Sequence, residues 1–340
     1  MFIITSKILI NEKRLMKRDQ SIDALRALAI YLVVLGHFVQ STIIDYDNNL
    51  LFKFIYSFHM PLFVFISGYL TYRDENLSLK FIKSRFNSLL LPYFSWMVIS
   101  TIVFSIKNED NFGEFILKSF LYPDNGLWYL WVLYFMHILY YLSKKIKKIN
   151  ELFSMFILSV LALLISFVFN IGNIFAFKTL AFLLPYYILG LLANKNQNLF
   201  IKTYKTWLII LPFFLILVYY WRRIDAIEIN YKYSNSTVFI YIYKSIVALM
   251  GVVISVGMIK TINKFNDTIL FVGKNTLPIY AMNFYFLYII EPIKDFFLGS
   301  FYYLNAFILS FFIIIFCLLI YSMLNKNKLI SLLFFGQRKK

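Results

Sequence analysis

The chain has 340 residues, of which 61% are hydrophobic and only 15% are charged. Soluble globular proteins contain roughly 45–50% apolar and about 25% charged residues, so a soluble enzyme is a poor fit. The single cysteine, Cys317, excludes a disulfide framework and any metal cluster built on several cysteines. The net charge of +17 does not indicate nucleic-acid binding, because the basic residues lie between apolar segments rather than on one clustered face. We therefore expect a polytopic membrane protein with no nucleic-acid partner.

Ten apolar segments are long enough to cross a bilayer, which requires roughly 20 apolar residues per helix. Their continuous apolar character favours helices, since the strands of a membrane barrel alternate over about ten residues. In chain order the segments are residues 22–40, 52–72, 87–106, 127–143, 152–170, 174–193, 206–222, 237–260, 268–290 and 301–324. The sequence therefore predicts an all-α membrane protein, a polytopic bundle of about ten transmembrane helices.

The loops between these segments indicate the orientation, because cytoplasmic loops of membrane proteins are enriched in Lys and Arg. Most of the 34 basic residues fall in the N-terminal tail, in every second loop and in the C-terminal tail. This pattern predicts that both termini are cytoplasmic. It divides the chain into a tail at 1–18, a transmembrane domain at 19–325 and a basic cytoplasmic tail at 326–340. No small-residue cleavage site follows the apolar first ten residues, so we expect no signal peptide, and Met16 is an alternative start.

Two ionisable residues of the first segment, Arg26 and His37, indicate a site, since such groups are costly inside a membrane. They are eleven positions apart, so a helix turns both to one face and separates them by about 16.5 Å along its axis. Asp23, one turn before Arg26, can pair with it. A long ligand that is anionic at one end and reactive at the other, such as coenzyme A, suits this spacing. The alternative is that Arg26 only reaches the membrane surface and follows the positive-inside pattern.

The second segment brings another histidine, His59, to a depth similar to that of His37, because it runs back from the outside. Pro61 interrupts the helix beside it, and interrupted membrane helices often line cavities. For Pro61 the alternative to a cavity is a simple kink. We expect His59 to face His37. The third histidine, His137, lies in the middle of its segment, where a structural and a functional role are both open.

A basic group that includes Lys83 and Arg85 precedes the third segment, at the cytoplasmic end of the bundle. Further ligands for the phosphates of a long donor would be needed there, although the positive-inside pattern explains the same residues. The sequence signatures of zinc proteases and of α/β-hydrolases are absent. Because the three histidines are scattered and have no carboxylates at similar depth, we expect no metal ion.

Four motifs, in this order, resemble those of the membrane acyltransferase-3 family. They are Asp23-Ala-Leu-Arg26 with Gly36-His37, Phe58-His59-Met60-Pro61 with Ser67-Gly68-Tyr69-Leu70, Lys83-Ser-Arg85 with Leu91-Pro92, and Gly273-Lys274-Asn275-Thr276-Leu277-Pro278-Ile279-Tyr280. Each motif is short, and their order and spacing together make the resemblance specific. Members of the family often carry a His shortly after the last Tyr, and this chain has Asn283 near that place.

The resemblance implies a bacterial enzyme of the cytoplasmic (inner) membrane that moves an acetyl group from cytoplasmic acetyl-CoA to a glycan hydroxyl. The acceptor would be a capsule, exopolysaccharide or lipopolysaccharide sugar, or its lipid-linked precursor. On this basis Arg26, Lys83 and Arg85 are expected to bind the phosphates of acetyl-CoA. We expect His37 to act as general base or as transient acyl carrier, and His59 to orient His37 or polarise the thioester. Acetyl-CoA, the glycan and membrane lipids are the expected partners.

Two other functions stay open, a polysaccharide exporter or flippase and an accessory scaffold of a glycan synthesis complex. The segments carry few charged residues beyond Asp23 and Arg26, which disfavours a wide polar channel. The sequence leaves open which hydroxyl is acylated, which short acyl group is moved and what the oligomeric state is.

Overall fold

The computed structural model describes residues 19–73, 77–108, 112–123, 127–146, 150–168, 173–223, 234–290 and 301–338. The regular structure of these residues is helical, and no strand occurs among them. The all-α prediction is therefore confirmed for this part of the chain, while the predicted tail at 1–18 lies outside the described residues.

The helices alternate with short connections along the chain. In order they are α1 (Gln20–Thr42), α2 (Leu50–Tyr56), α3 (His59–Thr71), α4 (Leu79–Arg85), α5 (Leu91–Asn108), α6 (Phe112–Leu121), α7 (Trp128–Lys145), α8 (Glu151–Val168), α9 (Phe177–Lys195), α10 (Gln197–Tyr204), α11 (Trp207–Tyr220), α12 (Ser234–Lys260), α13 (Asp267–Lys274), α14 (Thr276–Ile290), α15 (Tyr302–Leu324) and α16 (Lys328–Phe335). A π-helical segment, Phe86–Leu90, joins α4 to α5.

Six helical segments of the described chain are long and apolar enough to cross a membrane. They are Gln20–Thr42, Leu50–Thr71, Leu79–Val103, Ile174–Lys195, Phe239–Lys260 and Tyr302–Leu324. Shorter apolar helices occupy Glu151–Ser166, Trp207–Tyr220 and Thr276–Ile290. Six of the ten predicted segments thus meet these criteria, and the other four stay predictions, as does the cytoplasmic placement of both termini.

The second membrane segment is broken into α2 and α3 at Ser57 and Phe58. Pro61 explains the break, because it has no N–H to bond the carbonyl of Ser57 and its ring clashes there. The helix restarts at His59, so Pro61 lies in the first turn of α3, where a missing N–H is tolerated. The interruption expected from the sequence is therefore confirmed, and it places His59 at the start of a helix.

The third membrane segment begins earlier than residue 87, where the sequence predicted its start, because α4 continues through the π-helical segment into α5. Pro92 cannot donate a hydrogen bond to the carbonyl of Ser88, which loosens the helix one turn before it. The N–H of Leu91 bonds instead to the carbonyl of Phe86, five residues back. Such π-helical turns frequently occur at functional sites, and Arg85 lies directly before this one.

Helices α3 and α9 cross in close contact because each carries a glycine at the crossing. A Cβ atom at Gly68 would lie 2.1 Å from the carbonyl oxygen of Tyr187. A Cβ atom at Gly190 would lie 2.1 Å from the carbonyl oxygen of Phe65. Small residues allow membrane helices to approach in this way. If the two helices moved apart, they would lose dispersion contacts.

Helix α1 lies at the centre of the bundle, and α15 lies at its edge. Ile30, Val34 and Leu35 of α1 have no exposed surface. On α15 the apolar side chains of Leu304 and Phe311 are more than half exposed. An exposed apolar helix of this kind suits contact with lipid, whereas α1 is positioned to carry a buried site.

Candidate active site

Arg26 and His37 both face α14. The Nη2 of Arg26 donates a hydrogen bond of 3.0 Å to Oγ1 of Thr276, and Nδ1 of His37 lies 2.8 Å from Oδ1 of Asn283. Thr276 and Asn283 are seven positions apart, so they occupy one face of α14, two turns from each other. The expectation that Arg26 and His37 point the same way is confirmed. The earlier residue of α1 bonds the earlier residue of α14, and the later bonds the later, so α1 and α14 run parallel.

The guanidinium of Arg26 is held by ion pairing as well as by Thr276. Its Nη1 lies 3.8 Å from Oδ1 of Asp23, one turn earlier on α1, and the Asp23 side chain is only 4% exposed. The side chain of Arg26 remains 23% exposed, so the guanidinium is held in place and is still accessible. The ion pair expected from the sequence is present.

The start of α1 is fixed by Asp19, which precedes the membrane segment. Its carboxylate accepts a hydrogen bond from the N–H of Ser21, which is the usual N-cap arrangement. Nζ of Lys260, the last residue of α12, lies 2.7 Å from Oδ2 of Asp19. Burial raises the pKa of Asp19, but the hydrogen bonds from Lys260 and Ser21 outweigh it and hold that pKa below its usual value.

A cavity of about 270 Å³ opens beside Arg26 between α1, α3, α4, α7 and α14. Its lining residues are Arg26, Met60, Phe63, Ile66, Ser67, Leu70, Thr71, Arg85, Leu89, Tyr129, Leu130, Leu133, His137, Thr276, Leu277 and Tyr280. Ligand pockets in proteins usually measure about 300–1,000 Å³, so this cavity has room for part of a large ligand rather than the whole of one. We call it the arginine cavity.

Arg85 reaches the arginine cavity and Lys83 does not. The guanidinium of Arg85 stacks on Phe81, with its central carbon 5.1 Å from the ring centroid. Its Nε is buried and has no hydrogen-bond partner in the part of the chain that the structure describes. Lys83 is two positions earlier, about 200° around the helix, and its side chain is exposed. Two of the three predicted phosphate ligands therefore line one cavity, and Lys83 lies on another face.

His137 lines the arginine cavity, whereas His37 and His59 do not. Its Nδ1 donates to the carbonyl oxygen of Leu133 at 2.6 Å, and its Nε2 lies 3.1 Å from Oγ1 of Thr71. The sequence left a structural and a functional role equally open for His137. The structure places it on the wall that also carries Arg85.

His59 is buried near His37. Tyr56 packs against the ring of His59 and against Gly36, which precedes His37. The Nδ1 of His59 donates to the carbonyl oxygen of Ile55 at 2.9 Å, and its ring centroid lies 4.7 Å from that of Tyr56. A Cβ atom at Gly36, the residue before His37, would lie 2.9 Å from the same tyrosine ring. The expectation that both histidines lie at similar depth agrees with these contacts. We call His37, His59, Tyr56 and Asn283 the histidine cluster.

The histidine cluster adjoins the arginine cavity. Met60, which follows His59, and Tyr280, whose carbonyl accepts a hydrogen bond of 2.7 Å from Asn283, both line the cavity. A residue that lines the cavity is therefore bonded to each side of the cluster. This arrangement can hold an anion at one end of α1 and a proton acceptor at the other.

Sequence reasoning missed the partners that fix the two main residues. Thr276 appeared only inside a motif, and Asn283 only as a departure from the family pattern. The signal that could have found them is the spacing of seven between them, which matches a face of α14 in the way that eleven matches a face of α1. Among the described residues no group of three or more His, Cys, Asp or Glu side chains is placed to hold a metal ion.

A family model described as an acyltransferase domain matches residues 19–324. The chain belongs to this acyltransferase-3 family. This membership agrees with the long apolar helices, which indicate a membrane protein.

Two curated relatives share shorter regions with the chain. The nodulation protein NolL of Sinorhizobium fredii is 39% identical over 89 residues, which is 24% of each chain. The nodulation protein NolL of Mesorhizobium japonicum is 36% identical over 103 residues, which is 27% of each chain. The matches thus span only about a quarter of the relatives' length. No solved structure matches the chain significantly.

Proposed function

We propose that this membrane acyltransferase works in the bacterial cytoplasmic membrane and moves an acetyl group from cytoplasmic acetyl-CoA to a hydroxyl of a cell-surface polysaccharide or its lipid-linked precursor. The observation that carries the proposal is the pair Arg26 and His37, which α14 holds on one face of α1. The arginine cavity at one end of this face and the histidine cluster at the other suit a donor that is long, anionic and reactive at its tip.

The donor's phosphates bind near Arg26 and Arg85. Guanidinium groups bind phosphate through two parallel hydrogen bonds, and both arginines line the arginine cavity. The buried, unpaired Nε of Arg85 supports this assignment, because a ligand oxygen would satisfy it. The cavity holds only the part of the donor next to these groups, and the rest of the nucleotide lies outside it. Phosphate binding by Lys83 stays a prediction that the geometry does not favour.

The acetyl group is transferred at His37. Its Nε2 takes the proton of the acceptor hydroxyl while the hydroxyl oxygen attacks the thioester carbonyl. The carbon–sulfur bond then breaks, coenzyme A leaves as a thiolate, and the imidazolium returns the proton to that sulfur. General base help contributes roughly 10²–10⁴ in rate, and positioning of two substrates in a dry site supplies much of the remainder. Transient acylation of His37 would use the same nitrogen.

The test is proton NMR of ester-linked acetate on the host's purified surface polysaccharide. A deletion strain carries the wild-type protein, the His37→Ala variant or the empty vector, and immunoblots of membranes confirm insertion. We expect acetate only with the wild-type protein and an unchanged polymer yield. Full acetylation with His37→Ala would refute the mechanism. Equal acetate in all three strains with less surface polymer in the absence of the wild type would favour an exporter.

A further inference from the structure

The amide of Asn283 has a single orientation that satisfies its surroundings. Its Nδ2 donates to the carbonyl oxygens of Ile279 at 3.0 Å and Tyr280 at 2.7 Å, one turn earlier on α14. Both carbonyls can only accept hydrogen bonds, so the NH₂ group must face them. The other end of the amide, Oδ1, therefore faces Nδ1 of His37 at 2.8 Å.

This orientation determines which nitrogen of His37 carries the proton. An amide oxygen only accepts, so Nδ1 must be the donor in this hydrogen bond. A neutral imidazole has one N–H group, which leaves Nε2 with a free lone pair. The ring is held in addition by Phe284, the next residue of α14, with ring centroids 4.2 Å apart.

We propose that Asn283 is a positioning residue, which fixes His37 in the tautomer whose Nε2 is free to take the proton of the acceptor hydroxyl. The inference rests on the proposed function and adds the residue that prepares the base for it. An asparagine suits this role because it orients the imidazole without adding charge. A carboxylate at the same place would also stabilise the imidazolium, so that less of His37 would be in the neutral form that can accept a proton at neutral pH.

The groups around His37 that carry or can carry charge come from three other parts of the fold. His59 approaches from α3 and Tyr56 from α2, and the guanidinium of Arg223, after α11, lies 5.2 Å from the Tyr56 ring centroid. Tyr302 of α15 bonds further along α1, to Thr42. In the described chain no carboxylate pairs with His37, so the neutral amide of Asn283 is the group that orients Nδ1.

Two substitutions separate the role of the amide oxygen from its packing. Asn283→Leu keeps the branched shape of the side chain but removes the acceptor, so Nδ1–H loses its partner and Nε2 can carry the proton instead. We expect turnover to fall at least about tenfold, within the range that a general base contributes, with little change in KM for acetyl-CoA. Asn283→Asp restores the acceptor and adds negative charge, which holds His37 protonated to higher pH. We expect partial rescue and a shift of the acid limb of the kcat/KM profile to higher pH.

The matched control is Asn194→Leu. Asn194 on α9 donates a hydrogen bond of 2.6 Å to the carbonyl oxygen of Tyr69 and so also joins two helices through an amide. It lies outside both the arginine cavity and the histidine cluster. This variant reports the general effect of losing such a bond, and we expect its turnover to stay within about twofold of wild type.

The experiment uses the full-length protein in lipid nanodiscs, radiolabelled acetyl-CoA and the host's chemically de-acetylated polysaccharide. Label transfer is measured from pH 5 to 9 for wild type, Asn283→Leu, Asn283→Asp, Asn194→Leu and His37→Ala. Transfer by His37→Ala would refute the proposed mechanism itself. If His37→Ala is inactive but Asn283→Leu matches Asn194→Leu, or Asn283→Asp leaves the acid limb in place, the role of Asn283 is refuted and the function stands.

Discussion

At the scale of single residues, Arg85 and Lys83 show how two neighbouring cations differ in what they can bind. Arg85 turns into the arginine cavity, stacks on Phe81 and leaves Nε buried without a partner among the described residues. Lys83 points away and is exposed. An exposed lysine keeps its water, so its interaction with a phosphate is screened, whereas a partly buried guanidinium interacts more strongly.

We therefore predict a larger effect for Arg85→Gln than for Lys83→Gln. A hydrogen bond to a charged group contributes about 1.5–3 kcal/mol, so Arg85→Gln should raise KM for acetyl-CoA about 10- to 100-fold. Lys83→Gln should raise it less than about threefold, as for a surface ion pair. Initial rates of label transfer at varied acetyl-CoA concentration give both values. Equal effects of the two substitutions would contradict the assignment of the phosphates to the arginine cavity.

The residues of the candidate site were predictable where helix geometry alone determined them. The spacing of eleven placed Arg26 and His37 on one face, and both do bond to α14. The spacing of seven between Thr276 and Asn283 could mark a second polar face, but a spacing within one helix does not say which other helix packs against it, so the pairing itself was not predictable. Lys83 and Arg85 appeared equivalent in the sequence, and only the phase of α4 relative to the cavity distinguishes them.

At the scale of helices, the crossing of α3 and α9 positions one wall of the arginine cavity. Ser67 and Thr71 of α3 line the cavity on either side of Gly68. A Cβ atom on Gly190 would lie 2.1 Å from the carbonyl oxygen of Phe65, well inside van der Waals contact. A larger residue would push α3 and α9 apart and would move this wall.

We predict that Gly190→Ala lowers the thermal stability of the purified protein. Overpacking of this kind costs about 1–3 kcal/mol, because neither helix backbone can give way as a flexible side chain would. The matched control is Gly113→Ala, at an exposed position of α6, where alanine favours the helix. Thermal unfolding in detergent, followed by the loss of the monodisperse chromatographic peak, measures both variants. A Gly190→Ala protein as stable as Gly113→Ala would argue against the close crossing.

The sequence predicted where helices lie better than where they are interrupted. Pro61 identified the break between α2 and α3, since its clash acts at a fixed distance along the chain. The π-helical segment before Pro92 was not predicted, because the same proline rule allows a kink, an end or a wider turn. The division of predicted segment 268–290 into α13 and α14 was missed as well, although Pro278 follows that break at the same spacing as Pro61 follows its own.

At the scale of the whole molecule, the parallel course of α1 and α14 separates the two functions of the site. The arginine cavity lies towards the end of α1 where Asp19 pairs with Lys260. The histidine cluster lies towards the other end, which leads to residue 43. A donor and an acceptor can therefore approach from opposite sides of the membrane, provided that the first end faces the cytoplasm, as the distribution of Lys and Arg predicts.

Labelling of single cysteines tests this orientation. A Cys317→Ala background removes the one native thiol, which is buried, so that only an introduced cysteine can react. Ile44, 92% exposed after α1, and Asn263, exposed after α12, are then each replaced by cysteine. Because Asp19 holds Lys260 at the start of α1, these two positions lie beyond opposite ends of that helix.

We expect a membrane-impermeant maleimide to label Ile44→Cys in intact spheroplasts and Asn263→Cys only after permeabilisation. Labelling of both before permeabilisation would mean that α1 does not cross the membrane. The reverse pattern would place the arginine cavity on the outer side, away from cytoplasmic acetyl-CoA, and donor binding by Arg26 and Arg85 would then be untenable. The expected pattern instead puts the phosphate-binding end where the donor is made, and puts His37 nearer the side where the glycan is displayed.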